Sequence, residues 1–145
     1  MPDVIIRRCT PADAETVCEM INELEEESFD EALLEAQYLQ NLQSNDIHYW
    51  IAESGDTKLG VVSVYFHVLL HHNGPVAEIQ ELFVAKNARR HGIGKRLVSE
   101  VRRDALDRRC KLLEVTSNQV NREEAHRFYE REGFLKSHYK FTMPL

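Results

Sequence analysis

The segment Phe83-Val84-Ala85-Lys86-Asn87-Ala88-Arg89-Arg90-His91-Gly92-Ile93-Gly94-Lys95-Arg96-Leu97 passes from an apolar strand through a basic, glycine-containing turn into a helix. Beyond the turn, Ile93, Leu97, Val98, Val101 and Ala105 recur on one helical face, with arginine and lysine on the other. The first peptide N–H groups of such a helix have no internal partner and lie at the positive end of its dipole. A diphosphate can therefore satisfy several of them at once. Gly92 and Gly94 let the backbone come close to it. Arg89, Arg90, Lys95 and Arg96 cluster in a chain of formal charge -6, so any anion has to be held locally. Two nucleotide motifs do not fit: there is no Gly-Lys-Ser/Thr of a P-loop and no third glycine of a dinucleotide site. On this segment alone the alternative, a helix start whose basic residues are simply solvated, stays open.

Working outward, residues 4–9 read as a first strand. Thr10-Pro11-Ala12-Asp13 then opens a helix, with proline in the first turn and Asp13 reaching back. Ala14, Val17, Cys18, Ile21 and Leu24 continue it at helical spacing, and a second helix is predicted over about 30–43. Residues 48–53 and 58–70 are rich in aromatic and β-branched side chains and are joined by Ser54-Gly55-Asp56-Thr57, a hairpin. His72-Asn73-Gly74-Pro75 turns the chain into a third strand over 76–85, so this end of the sheet is antiparallel. A strand over 111–116, a helix opened by Asn121-Arg122-Glu123-Glu124 and stopped by Gly133, and a closing strand over 134–143 complete the order βααβββαβαβ. No linker or repeat interrupts it, and 1–145 reads as a single domain.

The 145 residues are 43% hydrophobic and 29% charged, a globular composition whose acidity disfavours nucleic acid and anionic lipid as partners. Met1 to Arg7 lack the basic and apolar parts of a signal peptide, and no apolar run reaches the ~20 residues that span a bilayer. The cytoplasm is the expected location. Cys9, Cys18 and Cys110 have no C-x-x-C spacing, which fits reduced thiols better than disulfides or zinc.

Arg89-x-x-Gly92-x-Gly94 resembles the acetyl-CoA signature of the GNAT family of N-acetyltransferases, and Ala125-His126-Arg127-Phe128-Tyr129-Glu130-Arg131-Glu132-Gly133-Phe134 is similar to its second signature. With the element order, the likeness covers nearly the whole chain. It implies an α+β fold, a mixed and mostly antiparallel twisted sheet flanked by helices, and acetyl-CoA as cosubstrate. By that resemblance the backbone around Arg90 to Lys95 holds the diphosphate, and Arg89, Arg90, His91, Gly92, Ile93, Gly94, Lys95 and Arg96 are the cofactor-binding candidates of this turn. Leu82, Phe83 and Val84 pair with the pantetheine arm, and Asn121 stands beside the position, here Arg122, where the family often has an asparagine.

A primary amine with a lysine-like pKa near 10.4 is about one part in a thousand neutral at pH 7.4, a cost of roughly 4 kcal/mol. A base is needed. Strict alternation in Glu78-Ile79-Gln80-Glu81-Leu82 puts Glu78, Gln80 and Leu82 on one face and Glu81 on the other. Burial would raise either carboxylate toward a useful base. Glu78, six residues before Val84, matches the general base of the histone-acetylating members, and the alternative is a carboxylate at a sheet edge. Glu81 reads equally well as structural. Tyr129 sits where the family's general acid is found, and it can also pack in the core with Phe128. The oxyanion is expected at a backbone N–H of Leu82 or Phe83.

Leu70-His71-His72, Glu78-Ile79-Gln80-Glu81-Leu82, Ala125-His126-Arg127-Phe128-Tyr129 and Ser137-His138-Tyr139-Lys140-Phe141-Thr142 look most like the bacterial aminoalkylphosphonate N-acetyltransferases. That resemblance implies a small amine carrying a phosphonate, and a divalent metal for which His71, His72 and Glu78 are candidates. A solvated turn is the alternative for the histidines, which as strand neighbours would point apart. The acidic run Glu25-Glu26-Glu27, with Asp30 and Glu31, would instead favour cationic amines such as polyamines or aminoglycosides. A protein-lysine acetyltransferase and a non-catalytic acetyl-CoA-binding module are the other readings, and a homodimer is expected.

Overall fold

Strand pairing follows chain order, β1-β2-β3-β4-β5, in the computed structural model, which describes residues 3–117 and 123–145. The strands are β1 (Ile5–Arg8), β2 (Ile47–Ser54), β3 (Thr57–Leu69), β4 (Gly74–Val84) and β5 (Leu113–Val115). The helices are α1 (Ala14–Glu25), α2 (Glu31–Leu42), α3 (Ile93–Asp107) and α4 (Glu123–Arg131). β1 to β4 pair antiparallel, and β5 joins β4 in parallel. The result is the mixed, mostly antiparallel α+β sheet that the sequence predicts. The chain divides into two compact units, Met1–Val115 and Thr116–Leu145, taken here in turn.

In the first unit both faces of the sheet are covered. Tyr49 and Ile51 of β2, Val61 of β3 and Phe83 of β4 are buried with Val17 and Met20 of α1 and Tyr38 of α2. On the opposite face lies α3, whose apolar stripe of Leu97, Val101 and Ala105 is buried. Asp104, inside that stripe, accepts hydrogen bonds from Trp50 Nε1 at 3.1 Å and pairs with His48 Nδ1 at 2.6 Å, tying the helix to β2. Its burial is thus compensated on both sides.

The start of α1 is held by charge. Asp13 accepts the Thr10 N–H at 2.8 Å and takes both Nη atoms of Arg7, at 2.8 and 2.9 Å, while Arg7 Nε reaches Glu53 at 2.7 Å. Such a forked pair fixes orientation as well as distance. The Arg7 guanidinium accordingly holds the Asp13 carboxyl down to about 2. At the other end of the hairpin stands Gly60, where a Cβ would lie 2.5 Å from the Phe83 carbonyl oxygen. β3 and β4 approach too closely there for any side chain.

The second unit contains α4, closed by a Schellman turn: Gly133 has φ +100°, Gly133 N–H donates to Glu130 O at 3.1 Å and Phe134 N–H to Tyr129 O at 3.0 Å. The Phe134 and Tyr129 rings, 5.7 Å apart, make the hydrophobic contact typical of that turn. Beyond it the structure corrects the sequence reading. Residues 134–143 form no strand, and Leu135, Tyr139, Phe141 and Met143 are exposed. Their alternation gives strand propensity, but a strand exists only with a partner to complete its hydrogen bonds, and this segment has no ladder partner among the described residues.

Gly60→Ala is expected to destabilise the protein by about 1–3 kcal/mol, because the new methyl meets backbone and not a movable side chain. Urea denaturation followed by circular dichroism measures this.

Candidate active site

The decisive feature of β4 is one extra residue. Val64 pairs with Ile79 and Ser63 pairs with Glu81, so Gln80 is a bulge without a counterpart on β3. Tyr65 pairs with Glu78, and Tyr65 and Ser63 are two apart on β3. Cross-strand partners share a face, so Glu78 and Glu81 both lie on the α1–α2 face, while Ile79 and Leu82 lie on the other. The strict alternation expected from the sequence is thereby overturned. A bulge resets the two-residue period, and composition does not announce it. The same bulge coincides with the end of β5, which pairs only with Ala77, Glu78 and Ile79. From Gln80 to Val84 one edge of β4 has no strand beside it among the described residues.

The two carboxylates differ in surroundings. Glu78 is 26% exposed in its side chain, accepts from Gln80 Nε2 at 2.7 Å and lies 3.4 Å from His67 Nε2. Glu81 is the more enclosed. Its Oε1 takes the Ser63 hydroxyl in a short hydrogen bond, and its backbone N–H donates to Ser63 Oγ at 3.0 Å. Burial pushes the Glu81 carboxyl up, with the Ser63 hydrogen bond opposing and Glu25 adding to the rise. Burial thus alters the protonation of a carboxylate that the sequence read equally well as structural.

Glu81 lines a cavity of about 150 Å³ between α1, α2 and the strands. Val17, Ile21 and Leu34 form its apolar wall, and Asn41, Tyr49 and Tyr65 its polar side. Asn41 Nδ2 donates to both phenol oxygens, at 2.9 Å to Tyr49 and 3.2 Å to Tyr65. These residues and Ser63 were not singled out from the sequence. The available signal was one tyrosine in each of β2 and β3, Tyr49 and Tyr65, which also fits a plain core. Burial raises the thiols of all three cysteines, Cys9 to about 12, which leaves them poor nucleophiles.

At the far end of the open β4 edge, a 3₁₀ turn (Lys86–Ala88) leads to α3. Arg90 has φ +66° and Gly92 φ +76°, and a Cβ on Gly92 would meet nothing within 4 Å. The N–H groups of Gly92, Ile93, Gly94 and Lys95 have no acceptor in hydrogen-bonding geometry among the described residues. Ile93 is buried as an anchor, whereas Arg90, His91, Gly92 and Lys95 are exposed. Two of the expected phosphate ligands are engaged elsewhere: Arg89 Nε donates to Val84 O and Arg96 Nη2 to Val4 O, each at 3.0 Å. They brace the turn. Leu82, Phe83 and Val84 lie along the open edge, with the Phe83 side chain buried in the core.

The remaining candidates fall elsewhere. Tyr129 belongs to α4 in the second unit, half-buried between Phe128 and Phe134. Asn121 lies outside the described residues. His71 and His72 are in a short 3₁₀ turn with ring centroids 4.3 Å apart, not at opposite faces of a strand, and Glu78 has His67 as its histidine neighbour. No group of three or more metal-ligating side chains occurs among the described residues, so the expected site at His71, His72 and Glu78 does not assemble.

The acetyltransferase (GNAT) family model matches residues 14–134. An aminoalkylphosphonate N-acetyltransferase of Salmonella typhimurium is 33% identical over 145 residues, covering 100% of this chain and 94% of that protein. The chain belongs to the GNAT acetyltransferase family. It is an N-acetyltransferase, and its solved neighbours agree on the fold. A Bacillus halodurans protein described as a transcriptional regulator superposes with a TM-score of 0.90 at 26% identity, over 99% of the acetyltransferase and 100% of that chain. An aminoglycoside N-acetyltransferase solved with CoA gives 0.89 at 16% identity, over 100% and 98%. No helix among the described residues of the acetyltransferase is long and apolar enough to cross a membrane.

The raised Glu81 carboxyl makes folding pH-dependent. The folded state keeps a proton that the unfolded chain releases near pH 4.3, so stability falls as pH rises from about that value through the raised one. Glu81→Gln removes this loss. Urea midpoints measured from pH 4 to 8 are expected to decline less for the variant than for the wild type.

Proposed function

We propose that this acetyltransferase moves an acetyl group from acetyl-CoA to the primary amine of a small molecule by direct attack. Glu78 accepts the ammonium proton and Tyr129 supplies one to the departing thiolate. The observation that carries the reading is the placement, along one stretch of chain, of an open β4 edge at Gln80 to Val84 and four unpartnered N–H groups at the start of α3. An extended amide-bearing arm fits the first and a diphosphate the second. Acetyl-CoA has both, and it brings the activated acyl group when bound.

The roles of the chain's own residues follow from their surroundings. Glu78 is held by Gln80 and His67 and stays partly open to water, through which a proton can leave. The phenol of Tyr129 is positioned by the Schellman turn that closes α4. Arg90 and Lys95, both exposed, add fixed positive charge to the turn that carries the unpartnered N–H groups. Arg89 and Arg96 hold the turn's ends.

For the acceptor, an aminoalkylphosphonate is the first reading, supported by a relative of that activity that matches the whole chain. A second reading, a cationic amine such as a polyamine or aminoglycoside, is favoured by the cavity beside Glu81, which has no basic residue among its lining residues.

A thiol-release assay with acetyl-CoA against aminoalkylphosphonates, polyamines, aminoglycosides and lysine peptides, with and without divalent metal, tests the proposal. Acceptor-dependent release from a small amine is expected, and tight CoA binding without any release refutes catalysis. Glu78→Gln is expected to lose turnover near neutral pH and recover partly at high pH, where the amine is already neutral. Tyr129→Phe is expected to lower kcat by about 10²–10⁴ with little change in the KM for acetyl-CoA. Gly92→Val, forced into a left-handed conformation, is expected to weaken CoA binding measured by calorimetry.

A further inference from the structure

Among the described residues, Gln80 is the one position of β4 that neither neighbouring strand braces. The bulge leaves it without a counterpart on β3, and the β5 ladder stops at Ile79, one residue before it. Its side chain is nevertheless engaged: Nε2 donates to Glu78 Oε1 at 2.7 Å. His67 Nε2, from β3, lies 3.4 Å from the same oxygen. Oε2 of Glu78 has no partner among the described residues, although Tyr65 and His67 of β3 and Glu114 of β5 share its face. Both contacts thus fall on one oxygen, and the other is left to meet a donor from outside.

We propose that Gln80 is a positioning residue that couples the open edge to the base: an extended arm paired with the edge fixes Gln80, and Gln80 holds Glu78 so that Oε2 receives the ammonium proton. A residue with ladder partners on both sides is held by its strand. A bulged residue beyond the end of a ladder takes its restraint from whatever else it touches. Here that is Glu78 at the side-chain end and, at the backbone end, whatever pairs with the edge from Gln80 to Val84. One residue therefore belongs to both halves of the site.

The chemistry depends on that hold. As the amine is activated, its ammonium N–H bond breaks, the proton goes to Oε2, and the nitrogen keeps the electron pair with which it attacks the acyl carbon. An oxygen misplaced by about 1 Å loses on the order of a hundredfold in rate. Contacts to Oε1 from two strands limit the directions in which Oε2 can point. Gln80 touches Glu78 and not the reacting atoms, so it acts through the base. The proposal rests on reading Glu78 as the proton acceptor and the open edge as the place of the acetyl-CoA arm, and it names the residue by which filling the edge prepares the base.

Amide hydrogen exchange of the full chain, read at Gln80 by NMR with and without saturating CoA, tests the coupling. Exchange there is expected to slow about tenfold or more when CoA binds, and unchanged exchange at saturation overturns the proposal. Gln80→Met, similar in length but without the N–H donor, is expected to lower kcat about tenfold to a hundredfold near neutral pH, while CoA affinity by calorimetry stays within about threefold. The loss is expected to fade at alkaline pH, where the amine is already neutral, and to vanish in a Glu78→Gln background. An undiminished kcat, a loss equal at every pH, or losses that multiply in the double variant overturns the proposal. Gln80 is exposed, and if Gln80→Met does not fold, Gln80→Ala removes the same donor and is held to the same outcomes. Lost turnover in Glu78→Gln with full turnover in Gln80→Met sinks this proposal alone. Full turnover in Glu78→Gln, or no CoA binding at all, refutes the reading beneath it, and the coupling falls with that reading.

Discussion

Between the Val64–Ile79 and Ser63–Glu81 pairs, β4 has one residue more than β3, and the site is organised around that excess. The bulge bends β4 where β5 stops pairing with it, which leaves the strand's edge open to an extended ligand. It also rotates Glu81, which lines the cavity under α1 and α2, onto the face that already holds Glu78. Further along the ladder, opposite Val84, Gly60 makes the close approach of β3 to β4 possible, since a side chain there would strike the Phe83 carbonyl. Remove the bulge, and either the hydrophobic face of β4 or its acidic one would have to turn the wrong way.

Electrostatics divide the molecule. An acidic chain gathers unpartnered N–H groups and the exposed Arg90 and Lys95 in one turn. Elsewhere it offers carboxylates. The cavity at Glu81 and its neighbour at Asp30 carry only negative charge. The two substrates of the proposed reaction have opposite needs, a diphosphate on one side and an ammonium on the other. Separation of the two fields keeps each from neutralising the other.

Fold neighbours with very different names share this sheet at TM-scores of 0.89 and 0.90. The scaffold therefore does not select the acceptor. In this chain α1, α2 and the strand face beneath them contribute Val17, Ile21, Leu34 and the Tyr49–Tyr65–Asn41 group around Glu81.

Much of this was legible in the residues. Helical spacing gave α1, α2 and α3 to within a few positions, turn chemistry gave the β2–β3 hairpin, and Asp13 was readable as part of a capped helix start because capping is a local interaction. The basic Gly92-x-Gly94 turn announced a helix start with unpartnered N–H groups, since these depend only on that helix. What depends on partners was not legible. The closing strand expected over 134–143 has nothing in the described structure to pair with, and the His71–His72 metal site required a third ligand brought from elsewhere. The face on which Glu81 lies was decided by a register shift against β3, and its ionisation by the helices packed above it. Periodicity and caps are properties of a segment, whereas register, burial and the charge state of a buried group are properties of the contacts between segments.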